Sequence, residues 1–210
     1  LVLNDISAAE IDSVHALLAR HFPAFQRVET LIGDINAIAV SRSFDVIIGN
    51  SFLHHIYDVP SFLGRVRAKL KPGGIFVSLH EPTPAALAVE GGDLKSLIAF
   101  RRNMSALVEA ARFGGPGLQP GGGADVWIFD PDRLADVLKK AGFAQVSIQP
   151  WHLLRSLFIA RRGAHLSAAR PKLSPFEVLG LHLAFRADRI LSAVLPASYF
   201  GSIAILARVP

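Results

Sequence analysis

The 210-residue sequence contains no cysteine. That excludes disulfides, thiolate nucleophiles and zinc–thiolate centres. No His-Glu-x-x-His or similar ligand spacing occurs either, so a metal ion is not expected. No internal repeat is visible, and the one biased tract is the glycine-rich stretch from Gly114 to Gly123. That tract does not end in Gly-Lys-Ser/Thr, so it is no phosphate-binding loop. The first residue is Leu rather than Met, and Leu1-Val2-Leu3 leads straight to Asp5 with no basic region ahead of it, which is not a signal peptide. The opening reads as a strand whose neighbour lies upstream of Leu1, so the expectation is a chain that begins inside a longer domain.

Charge is present but uneven. The net charge of +5 resides entirely in residues 151–189, where seven bases face two acids; elsewhere bases and acids are equal. A nucleic-acid protein spreads a basic face interleaved with aromatics across its fold, so nucleic acid is not an expected partner. A local basic segment suits a solvated insert, an anionic substrate or a membrane surface. From Ile190 to Ala207 no residue is charged, but Pro196 and Gly201 interrupt the run. It reads as a helix end followed by a strand rather than as a membrane span. A hydrophobic content of 51% with 19% charged residues suits one compact domain over residues 1–210, with a cytoplasmic location as the expectation.

Strands and helices alternate, which predicts an α/β domain with a mainly parallel sheet. Strands are expected at Leu1–Asn4, Val28–Ile32, Phe44–Gly49, Ile75–Leu79, Phe143–Pro150 and Tyr199–Ala207. Phe44–Gly49, uncharged after Asp45, has the composition of a strand covered on both faces. Helices are expected after the capping box Ser7/Glu10, over Ser61–Leu70 behind the Asp58 cap, near Leu94–Arg112, over Asp132–Ala141, and from Ser174/Glu177 to about Leu195. Lys71-Pro72-Gly73-Gly74 should stop the second of these, and Gly142 the fourth.

Three polar residues, Asp5, Asp34 and Asn50, each follow an apolar strand. In open parallel sheets the carboxyl edge is where ligands bind, so the expectation is that these side chains converge on one crevice. A carboxylate can accept from both hydroxyls of a ribose or from an exocyclic amine. Each aspartate alone reads equally well as a local cap. His54 and His55 follow the third strand and titrate near neutrality, so either could serve as a base, or could simply pack and bond to backbone. His80-Glu81-Pro82 ends the next strand and could line the acceptor pocket.

The run Phe44-Asp45-Val46-Ile47-Ile48-Gly49-Asn50-Ser51-Phe52-Leu53-His54-His55, followed by Leu70-Lys71-Pro72-Gly73-Gly74-Ile75-Phe76, resembles the central motifs of class I S-adenosylmethionine-dependent methyltransferases. Within them it is most similar to the small-molecule branch of ubiquinone/menaquinone biosynthesis methyltransferases. Asp130-Pro131-Asp132-Arg133-Leu134 with Ala141-Gly142-Phe143, and the closing Phe200 to Pro210, resemble later elements of the same family. The resemblance implies a Rossmann-like doubly wound sheet with an antiparallel final strand, from which the family's first strand and glycine loop are lacking here. It implies S-adenosylmethionine as cofactor. Asp5 and Ile6 would bind its ribose, Asp34 and Ile35 its adenine, and Asn50 and Ser51 its methionine end, while His54 and His55 are the catalytic candidates. A small molecule would be the acceptor, with residues 151–195 as an insert or lid that could also touch a membrane. Two other readings stand beside this one: a methyltransferase-like binding module without activity, and a fragment of a dinucleotide-dependent oxidoreductase.

Overall fold

The structure, a computed structural model, describes residues 1–24, 27–37, 40–56, 58–83, 85, 128–154, 157 and 174–210. The helix expected near Leu94–Arg112, the glycine tract 114–123, and Arg155, Phe158, Ile159, Arg161, Arg162, Arg170 and Lys172 lie outside the described residues. The chain divides into two units, Leu1–Arg42 and Ser43–Pro210.

In the first unit, strand β1 (Val2–Asp5) pairs in parallel with β2 (Glu29–Ile32), and helix α1 (Ala8–His21) joins them. Ser7 caps α1 as expected, its hydroxyl accepting from the Glu10 amide at 3.3 Å. The return half of the capping box does not form. The Ser7 amide that Glu10 would have bonded donates instead to Asp5 Oδ1 at 2.8 Å, an Asx turn that closes the strand onto the helix. Of the apolar stripe Ile11, Val14, Leu17 and Leu18, only Ile11 is buried.

The second unit holds strands β3 (Phe44–Asn50), β4 (Leu70–Pro82), β5 (Gln145–Trp151) and β6 (Ser202–Arg208), ordered β3-β4-β6-β5. β3 and β4 are parallel, and β6 runs antiparallel to both β4 and β5. The three parallel strands therefore end at one edge, where β6 begins. This is the expected antiparallel final strand, and the uncharged stretch 190–207 is the expected helix end and strand. No helix among the described residues is long and apolar enough to cross a membrane.

Helix α2 (Val59–Lys69) starts two residues earlier than expected because Asp58 caps it directly, accepting from the Ser61 amide at 3.1 Å, with Pro60 in its first turn. Lys71 to Gly74 do not form a separate turn. They bulge out of β4 between the Phe44–Leu70 and Val46–Ile75 pairings, and Lys71 Nζ reaches both carboxylate oxygens of Asp45. Helix α3 (Pro131–Lys140) is capped by Asp130 and ends before Gly142, whose φ of +96° is the left-handed conformation that stops a helix at low cost in glycine. Helix α4 (Pro175–Leu191) opens with the complete Ser174/Glu177 capping box and ends four residues short of the expected Leu195. Phe76, Leu134, Leu138, Phe143, Ile203 and Ile205 are buried where α3 covers the sheet. One expectation changes. β3 is the border strand of its sheet, flanked among the described residues by β4 alone, so Val46 and Ile48 are exposed despite a composition that suits burial on both faces.

Candidate active site

Asp5 and Asp34 lie together at the carboxyl edge of the β1–β2 pair, Asp5 opposite Ile32 and Asp34 two residues beyond it. The Gly33 amide donates to the Asp5 carbonyl at 2.9 Å, and Asn4 Nδ2 bonds the carbonyls of Leu31 and Gly33, which fixes the turn leading to Asp34. Both aspartates make the local contact that sequence alone allowed. Asp5 Oδ1 accepts from Ser7, and Asp34 Oδ1 accepts from the Asn36 amide and side chain. In each, Oδ2 has no hydrogen-bond partner among the described residues. Ile6, 77% exposed, stands beside Asp5.

Asn50 and Ser51 close β3 at the carboxyl edge of the second unit. The Ser51 amide donates to the Leu79 carbonyl at 2.7 Å, and the Ser51 backbone is left-handed, φ +52°. The chain then makes one 3-10 turn, Leu53–His55, whose position is set from below by Glu81. This carboxylate is fully buried. Its Oε1 accepts from the amides of Phe52 (3.4 Å) and Leu53 (3.1 Å) and from the Ser78 hydroxyl (2.6 Å). Its Oε2 accepts from the His54 amide (3.1 Å) and ring Nδ1 (2.7 Å). Burial alone would raise the Glu81 pKa, but the bonds from His54 and Ser78 outweigh it and hold the carboxyl below its usual range.

The two histidines of this turn therefore differ. His54 is buried on Glu81, whereas His55 is exposed, its ring centroid 4.0 Å from that of His54. Glu81 faces the core rather than the acceptor side expected of it. Its signal in the sequence was an acid within an otherwise apolar strand, which calls for several donors around it.

His80 turns the other way. Its Nδ1 lies 2.7 Å from Asn50 Oδ1. Its ring packs against the edge of Trp151 (centroids 5.3 Å, 72°) and stacks on His152 (5.4 Å, 11°). His152 Nδ1 is 3.1 Å from the Ser202 hydroxyl. The carboxyl edge of the four-stranded sheet thus carries Asn50, Ser51, His80, Trp151, His152 and Ser202. Ser51, His80 and His152 are the non-glycine residues with positive φ among those described, and all three lie at this edge. Such residues cost of order 1–3 kcal/mol each and concentrate at functional sites. No group of three potential metal ligands occurs among the described residues.

A family model described as a methyltransferase domain matches residues 1–76. The ubiquinone biosynthesis O-methyltransferase of Paramagnetospirillum magneticum is 41% identical over 56 residues, which is 25% of this chain and 22% of that protein. Phosphoethanolamine N-methyltransferase 2 of Haemonchus contortus, solved with S-adenosyl-L-methionine, superposes with a TM-score of 0.51 at 16% identity, over 99% of this chain and 42% of its own. A possible exported protein from Bordetella parapertussis gives 0.52 at 16% identity, over all of this chain and 53% of its own. The chain thus spans about half or less of the length of these relatives, and the two solved structures speak for the fold. Over residues 1–76 the chain is similar in sequence to methyltransferase domains, and its α/β fold is similar to that of S-adenosylmethionine-dependent methyltransferases.

Proposed function

We propose that the protein transfers a methyl group from S-adenosylmethionine to a small-molecule acceptor. The observation that carries this reading is the pair of strand-end aspartates in the segment that matches the methyltransferase domain, each with one carboxylate oxygen uncommitted among the described residues. The donor set fits the cofactor. A nucleoside offers two vicinal hydroxyls and an exocyclic amine, all donors, and Asp5 Oδ2 and Asp34 Oδ2 are acceptors at the edge where parallel strands bind ligands. In this reading Asp5 with Ile6 holds the ribose, Asp34 with Ile35 the adenine, and Asn50 with Ser51 the methionine end. When bound, the cofactor supplies an electrophilic methyl carbon on a positive sulfur.

The protein's own part is alignment and exclusion of water, which carry most of the rate of an in-line displacement. His54, through Glu81, positions the turn after β3. His55 is the exposed member of the pair and the one able to meet an acceptor. The described residues 151–154 and 174–195 would form a wall over the acceptor side. Leu153 packs with Phe200 and Ala85, the Leu154 amide donates to the buried Asp188 of α4 at 2.7 Å, and Trp151 stands at the same edge as Asn50. Exposed Phe176, Leu179 and Leu183, with Arg186 and Arg189, suit a lipophilic acceptor or a peripheral membrane contact. Calorimetry on the full-length protein tests the reading. S-adenosylmethionine should bind one to one and NAD should not; the reverse would make the protein a dinucleotide enzyme.

A further inference from the structure

We propose that His80 is the catalytic base of this site, taking the proton from an acceptor hydroxyl, and that Asn50 is the positioning residue that sets its tautomer. The assignment rests on the methyl-transfer reading and deepens it. Four observations carry it.

The first is a bulge. In the pairing of β4 with β6, Ser78 faces Ile205 and Glu81 faces Ile203, so β4 spends one residue more than its partner between these points. A bulge of this kind re-aims a side chain. Here it sends Glu81 into the core and the adjacent His80 to the carboxyl edge. The second is that His80 holds a left-handed backbone, φ +59°, a conformation that histidine adopts at a cost and that the bulge imposes.

The third is the bond to Asn50. A carboxamide oxygen only accepts, so the 2.7 Å contact puts the proton of the neutral ring on Nδ1. The lone pair is then on Nε2, which has no hydrogen-bond partner among the described residues. The fourth is that Trp151 and His152 pack the ring on its edge and face, so its orientation is fixed before any ligand arrives.

A neutral imidazole with its proton on one nitrogen and a fixed lone pair on the other can accept a proton from a bound hydroxyl. It serves only an acceptor that must lose a proton, which selects a hydroxyl as the chemical class. The proton passes from the hydroxyl to Nε2 and then to solvent, the oxygen pair forms the new bond to carbon, and the pair of the broken sulfur–carbon bond stays on sulfur. In this assignment His55 does not take the proton.

Two measurements on the full-length protein test this without an acceptor. Long-range proton–nitrogen correlation spectra of histidine-labelled protein, with His80 identified by the loss of its signals in His80→Asn, should show the Nδ1–H tautomer. Asparagine is chosen because it tolerates left-handed backbone. Asn50→Leu should shift His80 toward the Nε2–H form. Separately, diethyl pyrocarbonate should modify His80 readily. S-adenosylhomocysteine at about 100 times its Kd should slow that modification about 100-fold, because the site is then open roughly one part in a hundred. Modification of His21 should be unaffected. An Nε2–H tautomer in the wild type overturns the assignment, as does undiminished modification while calorimetry shows the ligand bound. Failure of the ligand to bind overturns the methyl-transfer reading itself, and this assignment with it.

Discussion

His54 and Glu81 are 27 residues apart in sequence and joined twice, by the His54 amide at 3.1 Å and by its ring Nδ1 at 2.7 Å, both to Glu81 Oε2. The pair ties the turn after β3 to the neighbouring strand β4 inside the core. Because Asn50 precedes that turn and His55 ends it, its stability and the geometry of the site depend on one buried carboxylate.

The pH dependence of stability follows from it. A carboxyl whose pKa is lower in the folded protein than its usual 4.5 gives stability that is complete above that value. The contribution is lost as pH falls through the folded-state pKa. Glu81→Gln should lower stability at pH 7 by about 3 kcal/mol, since it leaves buried donors without their acceptor. The gap between the two proteins should narrow below pH 4.5. Thermal midpoints from pH 3 to pH 8, taken at about half-unit steps, would decide it. Parallel curves would mean that the Glu81 pKa is the same in the folded and unfolded states.

The two histidines of the turn should separate cleanly. His54→Ala removes a buried partner of a charged group and should cost about 3 kcal/mol. His55→Ala, on an exposed side chain, should stay within about 0.5 kcal/mol of the wild type. Urea unfolding of both variants, with S-adenosylhomocysteine affinity measured alongside, checks this. Equal losses would place His55 in the scaffold as well.

Gly49 precedes Asn50 where the Phe52 ring folds back over the strand. A Cβ at Gly49 would sit 1.8 Å from Phe52 Cε1, and the ring is itself held edge-on to Phe62 at 5.6 Å. Gly49→Ala should destabilise by about 1–3 kcal/mol through overpacking. Adding Phe52→Leu should recover part of that loss, which a double-mutant cycle by thermal unfolding would measure.

The fold was largely legible because its signals are local. Alternating apolar runs, the Asp58 and Asp130 caps, the Ser174/Glu177 box and Gly142 all act within a few residues of where they stand. What was not legible depended on non-local geometry. The Ser7 capping box looked complete, but Asp5 competes for the same amide. Lys71 to Gly74 looked like a turn, but the pairing of Phe44 with Leu70 makes them a bulge within β4. The candidate site was half readable. Asp5, Asp34, Asn50 and Ser51 lie at strand ends, as their positions after apolar runs suggested. The opposite destinations of His80 and Glu81 were not readable, because a bulge against β6 sets them and it has no signature in β4 alone.

Titration of S-adenosylhomocysteine into the full-length protein and its Asp5→Ala variant bears most directly on the central claim. Wild type should bind one equivalent. The variant should bind about 10- to 100-fold more weakly, the cost of leaving ribose hydroxyls without their acceptor. Its thermal midpoint should change only by the loss of the Ser7 turn contact. Equal affinity in the two proteins, or no binding by either, would contradict the account.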